Sequence, residues 1–210
     1  MYVPAAFAEH DLAKLHDFIE QHSFGLLVSQ VNGEPFATHL PLLLERAAGP
    51  QGALVGHVAR ANLQWESLAE QAVLAVFSGP HAYISPSWYE ADNVVPTWNY
   101  SAVHVYGRVT LIDDPDSLFA LVQATTEAYE KSRPVPWAVG ERNTFLDRLL
   151  AMIVGFRIDI ERIEGKWKLS QNHPVERRQK VIRELRKRDQ SDDSEVARLM
   201  EQMLPADEEV

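Results

Sequence analysis

A mainly β, α+β fold is predicted, an antiparallel barrel or curled sheet with peripheral helices and a helical C-terminal tail. Three observations carry it. Extended segments with period-two apolar patterning dominate the first 112 residues, a pair of helices falls between them and one last strand, and strands and helices never alternate. The missing alternation sets aside doubly wound and TIM-type architectures, and no GxGxxG supports a dinucleotide fold. With 210 residues, 46% of them hydrophobic, the chain can bury one substantial core.

Taken in order, Leu12, Leu15, Phe18 and Ile19 recur at helical spacing after Asp11, a capping residue, so a short amphipathic helix opens the domain. Gly25 to Val31 reads as a strand, Asn32-Gly33 as a type I′ hairpin turn, and Glu34 to Leu44 as the antiparallel return. Thr38 and His39 put polar groups on that apolar return, so they face either a cavity or solvent. Glu45 to Gly52 is a flexible loop and Ala53 to His57 a strand. His57, Arg60 and Asn62 then lead into a helical piece from Asn62 to Ala69. An arginine beside a helix start is a candidate phosphate site, because unpaired backbone N–H groups add to the guanidinium charge.

Ala72 to Phe77 is a buried strand, and Tyr100 to Ile112 a long one with alternating apolar and polar positions. Asp114-Pro115 starts an amphipathic helix that runs to about Lys131. Pro134 to Trp137 is a loop, Glu141 to Ala151 a second helix, and Ile153 to Ile163 the final strand. A turn and a short polar extended piece follow over Glu164 to Asn172. Seven cations crowd the helix expected over 174–188. They read either as a DNA-contacting or anion-binding element or as a solvated face paired with acidic neighbours. Asp189 to Asp193 breaks the chain before a short amphipathic helix from Ser194. The expected domains are 1–172 and a helical extension over 173–210.

Composition narrows the function classes. The net charge of −10 opposes indiscriminate binding to nucleic acid, so any such contact needs a local basic patch. The absence of cysteine rules out disulfides and thiolate chemistry, which fits a reducing cytoplasm. No apolar run nears the roughly 20 residues of a membrane-spanning helix, so a cytoplasmic protein without membrane partners is expected.

The unusual residues concentrate between Gly79 and Gly107. Trp88, Trp98, Tyr83, Tyr89, Tyr100 and Tyr106 stand there beside His81, His104, Ser85, Ser87, Thr97 and Asn99. Flat aromatic faces with polar tips suit a planar heteroaromatic ligand, and equally an aromatic-rich core. Pro80, Pro86 and Pro96 are expected to cut the stretch into short extended pieces, placing these rings at strand ends and loops.

Six motifs in order carry a resemblance over almost the whole chain: MYVPAAF at the start, ATHLP at 37–41, GHVARAN at 56–62, GPHAYISPSWY at 79–89, VPTWNYSAVHVYG at 95–107 and EGKWKLSQN at 164–172. The chain resembles the PaiB-type FMN-binding negative transcriptional regulators, relatives of the pyridoxamine-phosphate-oxidase-like proteins. The resemblance implies an FMN-binding split β-barrel over 1–172 that forms a homodimer, with FMN at the subunit interface. It places the phosphate on Arg60 with His57 and Asn62, and the ring near Thr38, His39, Ser85, Trp98 and Asn99. Gln171 and Asn172 are expected to complete the cleft.

Three functions follow as expectations. The first is a negative transcriptional regulator or flavin-dependent sensor, with a DNA or protein partner reached through 174–188. The others are a flavin-dependent oxidoreductase acting on a small molecule and a haem-handling protein using His39, His57, His81 or His104. No helix-turn-helix pattern supports a simple repressor, and no GxSxG a hydrolase. No metal site is expected.

Overall fold

The computed structural model describes residues 1–69 and 71–205, so residues 206–210 of the expected C-terminal extension lie outside the described residues. Eight strands form one sheet: β1 (Ala8–Glu9), β2 (Phe24–Val31), β3 (Glu34–Pro41), β4 (Leu43–Glu45), β5 (Ala53–Ala59), β6 (Ala72–Ile84), β7 (Thr97–Ile112) and β8 (Ile153–Lys168). Their spatial order is β3-β2-β6-β7-β8-β5-β4, with β1 added to β8. The helices are α1 (Leu12–Gln21), α2 (Trp65–Leu68), α3 (Pro115–Glu130), α4 (Thr144–Leu150), α5 (Val175–Arg188) and α6 (Asp193–Gln202). Residues 5–7 and 86–89 add short 3₁₀ turns.

The chain divides into two compact units, one of residues 12–77 and 104–163, the other of 1–11, 78–103 and 164–210. The first unit is a barrel. The two ends of the strand order, β3 and β4, are consecutive in the chain and separated by Leu42 alone, which is fully buried, so the sheet returns on itself. The β2–β3 hairpin turns on Asn32 (φ 53°) and Gly33 (φ 81°), the left-handed pair that a type I′ turn requires, and its register closes at Val31 opposite Glu34. Alternate residues from each strand fill the interior, among them Leu27, Leu54, Ala75, Phe77, Val105, Phe156 and Ile158. At Gly107 a Cβ would lie 2.3 Å from the Asp159 carbonyl oxygen, so only glycine fits where β7 presses on β8. On the outside, α1 buries Leu15, Phe18 and Ile19 and packs against β4, while α3 packs on α4 and β5.

The second unit contains the ends of the long strands, the 3₁₀ turn at Pro86–Tyr89, and α5 packed on α6 and on that turn. Its core comprises Ile84, Tyr89, Leu169, Val181, Leu185, Val196 and Met200. The helices expected as a C-terminal extension thus belong to the same unit as 78–103.

Several boundaries differ from the sequence expectation. The expected strand over Glu34 to Leu44 is broken at Leu42 into β3 and β4. Pro80 does not cut the chain: β6 runs through it. β2 pairs with β6 only over Leu74–Val76, so Pro80 lies beyond the part of β6 that is bonded to β2. β8 continues through Glu164 and Gly165, where a turn was expected, because β1 pairs there with Gly165 and Lys166. α2 has only four residues. α4 begins at Thr144 rather than Glu141, since Asn143 Oδ1 accepts from the N–H of Phe145 (3.0 Å) and Leu146 (3.1 Å) and fixes the start.

Candidate functional site

In the barrel unit, the end of β5 delivers Arg60 and Asn62, and β3 delivers Thr38 and His39. Asn62 is an organiser: its Nδ2 donates to Thr38 Oγ1 (2.9 Å), while its Oδ1 accepts from the Gln64 N–H (3.0 Å). Two predicted residues, Thr38 and Asn62, are therefore in direct contact. Gln64 is fully buried and donates to the Leu27 carbonyl (3.1 Å) and Ser29 Oγ (2.9 Å), which anchors the turn behind Asn62. His39 is exposed and stacks on Phe24, with ring centroids 6.2 Å apart. His57 is half-buried, and burial lowers its imidazole pKa from the ordinary histidine value.

Arg60 is held in place before any ligand arrives. Its Nε donates to the Ala151 carbonyl (3.0 Å), its Nη2 to the Ile153 carbonyl (3.0 Å) and to Asp113, and its guanidinium lies 5.7 Å from the Trp65 ring. Nη1 makes no hydrogen bond among the described residues. The anchoring differs from the sequence expectation, which relied on a helix start: α2 begins only at Trp65 and is too short to supply one. Arg60 opens onto a cavity of about 410 Å³ that Asp113, Leu118, Arg142, Asp147 and Leu150 also line. Arg142 is tied to Asp147 (2.6 Å) and Asp116, and these hydrogen bonds hold its pKa above the ordinary arginine value.

In the second unit the predicted residues divide by exposure. Trp98 is 54% exposed and meets Tyr83 edge-on at 5.8 Å and His81 at 6.1 Å, a solvent-facing aromatic platform. Asn99, its neighbour, is fully buried and committed internally: Nδ2 donates to Ser170 Oγ (3.0 Å) and approaches Met200 Sδ (3.4 Å). Ser85 caps the 3₁₀ turn by accepting from the Ser87 N–H (3.3 Å). Gln171 closes its own turn, accepting from Leu169 N–H (2.7 Å) and donating to the Trp167 carbonyl, while Asn172 is exposed. Tyr89 is core and Trp98 is surface, so the aromatic stretch serves both purposes weighed from sequence. Of the other candidate histidines, His81 is exposed beside Asp192 (3.3 Å), and His104 is half-buried with Nδ1 unpaired among the described residues.

Sequence reasoning missed Lys168. Its ammonium donates to the Trp98 carbonyl (2.6 Å) and to Thr97 Oγ1, and burial, followed by repulsion from Lys166, lowers its pKa. The signal was present in the alternation Lys166-Trp167-Lys168, which on a strand puts both cations on one face.

The barrel residues offer donors of the kind a flavin phosphate takes, an anchored guanidinium, a hydroxyl, an amide and an imidazole, but of these only Arg60 lines the cavity described above. Among the described residues, no helix is long and apolar enough to cross a membrane.

Comparison with known proteins gives concordant results. The family model described as "Putative FMN-binding domain" matches residues 1–162. The chain is 39% identical over 207 residues to the protease synthase and sporulation protein PAI 2 of Bacillus subtilis (strain 168), covering 97% of this chain and 98% of that one. Among solved structures, the flavocytochrome Anf3 of Azotobacter vinelandii superposes with a TM-score of 0.58 at 17% identity, over 77% of this chain and 69% of that one. An FAD and haem binding protein of Mycobacterium smegmatis gives 0.58 at 15% identity, over 77% and 73%. At these identities the two structures establish a shared fold and nothing more.

Proposed function

The chain belongs to the FMN-binding domain family, and we propose that it acts as a flavin-dependent regulatory protein of the PaiB type, with the FMN phosphate taken by Arg60 together with His57 and Asn62. The single observation behind the phosphate assignment is the state of Arg60. Two backbone carbonyls fix its guanidinium, Nη1 is unused among the described residues, and the remaining partner is a carboxylate that is itself 62% exposed. An exposed ion pair of this kind is worth about 0 to 1 kcal/mol, so a phosphate dianion can take the place of Asp113 at little cost. Preorganisation then favours the ligand, because the side chain has already lost its rotamer freedom. Thr38 accepts from Asn62, which leaves its own O–H free to donate. FMN, when bound, supplies redox chemistry at its ring.

The purified protein should bind FMN more tightly than riboflavin. Arg60→Ala should weaken FMN by about 10- to 100-fold and leave riboflavin little changed, since a charge-assisted contact is worth roughly 1.5 to 3 kcal/mol. Equal loss for both ligands would remove Arg60 from the phosphate.

A second reading, a flavin-dependent oxidoreductase acting on a small molecule, is favoured by the state of α5. Lys180 pairs with Glu90 (2.5 Å), Arg186 with Glu201 (2.7 Å) and Arg188 with Asp193, and Arg178 is buried. Those pairings consume much of the charge that a nucleic-acid contact would use. Steady turnover of NADH or NADPH by the FMN-loaded protein under air would select the oxidoreductase, and its absence the regulator. Self-association is proposed as well, because Trp98, Tyr83 and Phe24 leave large apolar faces in water. A monomer by sedimentation at micromolar concentration would exclude it.

A further inference from the structure

We infer that Arg142 is the second guanidinium of the phosphate site, so that the FMN phosphate lies between Arg60 and Arg142 in the cavity both of them line. The inference rests on Arg60 being the phosphate residue and adds a partner that no motif in the sequence marked. Of the residues expected around the phosphate, only Arg60 lines that cavity, and Arg142 is the other cation in its wall. Arg142 comes from the segment just before the Asn143 cap of α4.

The cavity has two kinds of wall. Leu118 and Leu150 are buried there and make an apolar floor. The charged part holds the two guanidiniums and the carboxylates of Asp113 and Asp147. Its volume of about 410 Å³ is near the lower end of the roughly 300 to 1,000 Å³ of small-ligand pockets, which suits the phosphate end of a flavin nucleotide rather than the whole molecule. A guanidinium is weakly hydrated, and beside buried leucines its attraction for an anion exceeds what it would have in open water.

The carboxylates that now hold these arginines are well placed to give way. The side chains of Asp113, Asp116 and Asp147 are 62%, 94% and 47% exposed, and ion pairs with exposed partners contribute little. Arg60 keeps its anchors to the Ala151 and Ile153 carbonyls when Asp113 leaves. Arg142 donates Nε to Asp147 (2.6 Å) and Nη1 to Asp116, and its Nη2 makes no hydrogen bond among the described residues. Each arginine therefore has one terminal nitrogen to spare. With Asp113 and Asp147 in place the lining is neutral. With both turned to water it carries two positive charges, the complement of a phosphate dianion.

Fluorescence titration of the full chain, freed of bound flavin, with FMN and with riboflavin tests this, and the ratio of the two affinities is the readout. Arg142→Gln should weaken FMN about tenfold or more and leave riboflavin little changed. Asp147→Asn keeps the cation and removes its competitor, so it should tighten FMN about threefold without altering riboflavin. A purely structural tie between Arg142 and Asp147 predicts a loss for both ligands in both variants, and that result would overturn the inference. If Arg60→Ala lowers the preference for FMN and a folded Arg142→Gln does not, the second guanidinium is overturned and Arg60 keeps the phosphate. If neither lowers it, both assignments fall. If Arg142→Gln alone lowers it, the phosphate does not lie between the two, and the Arg60 assignment falls with the inference. Near-ultraviolet circular dichroism checks folding. Should Arg142→Gln unfold, Asp147→Asn decides alone, with tighter FMN supporting the inference and unchanged or weaker FMN overturning it.

Discussion

The two units differ in how much of their construction neighbouring residues display. In the barrel, strands repeat apolar residues at every second position, and closure at Leu42 buries them against one another. The other unit buries Ile84, Tyr89, Leu169, Val181 and Met200 and adds polar ties, several of them between residues remote in sequence. Asn99 reaches Ser170 and Met200, Arg188 reaches Asp193 and the Tyr83 carbonyl (3.1 Å), Arg178 reaches the Met203 carbonyl, and Lys180 reaches Glu90. The contrast shows what kind of contact a sequence displays. Apolar periodicity is written within a few residues, whereas a partner 71 or 101 positions away leaves no local trace.

The comparison is most easily broken at Gly107. If the barrel depends on close backbone approach, Gly107→Val should be the most damaging single change, because the new Cβ meets backbone at Asp159 and cannot be relieved by a side-chain rotation. A loss of about 3 kcal/mol or more is expected in urea denaturation. A loss below about 1 kcal/mol would mean that β7 and β8 separate readily and that the barrel is not the rigid partner.

The other unit should instead show its dependence through pH. Asp193 is 2% exposed, and hydrogen bonds from Arg188 hold its carboxyl below the ordinary aspartate value. A carboxylate with a depressed folded pKa contributes stability that is present above its unfolded value, near 4, and is lost as pH falls through the folded value. Asp193→Asn should therefore cost about 2 kcal/mol at pH 7 and flatten the decline of stability below about pH 4. The figure lies below the 3 to 5 kcal/mol of a fully buried pair, because Arg188 retains the Tyr83 carbonyl, the Trp88 ring at 4.9 Å and some access to water. An unchanged acid limb would show that the pair is not what ties α6 to α5.

The same contrast accounts for how much was legible beforehand. The hairpin at Asn32-Gly33 and the start of α3 at Asp114, which accepts from the Ser117 N–H (2.8 Å), follow from local chemistry. So do the strands of the barrel and the basic character of α5. The role of Asn99 does not. An asparagine between Trp98 and Tyr100 reads as a ligand contact, and nothing in that tripeptide reveals that its amide turns inward to Ser170 and Met200. Arg60 was legible as a phosphate candidate beside a helix start, but what fixes it, the carbonyls of Ala151 and Ile153, lies some 90 residues away. Lys168 was overlooked because its partners are the backbone of Trp98 and the hydroxyl of Thr97, contacts that only strand pairing creates.

The smallest effect belongs to the exposed face of α5, and it bears on function more than on stability. Arg186 pairs with Glu201 across two exposed side chains, Lys187 with Glu184 at 3.8 Å, and Arg183 is exposed. Surface pairs of this kind contribute about 0 to 1 kcal/mol, so reversing Arg183, Arg186 and Lys187 to Glu should change stability only modestly and leave FMN affinity unaltered. Binding to arbitrary duplex DNA at physiological salt should be weak before the change as well as after it. The protein carries −10 overall, and two of the three cations already have acidic neighbours, so few counterions would be released on contact with phosphates. Gel-shift titration across a salt series measures this directly. Sequence-selective binding that falls steeply with salt and vanishes in the triple variant would reverse the expectation. It would make the exposed edge of α5 a reading surface and settle the choice between regulator and oxidoreductase in favour of the regulator.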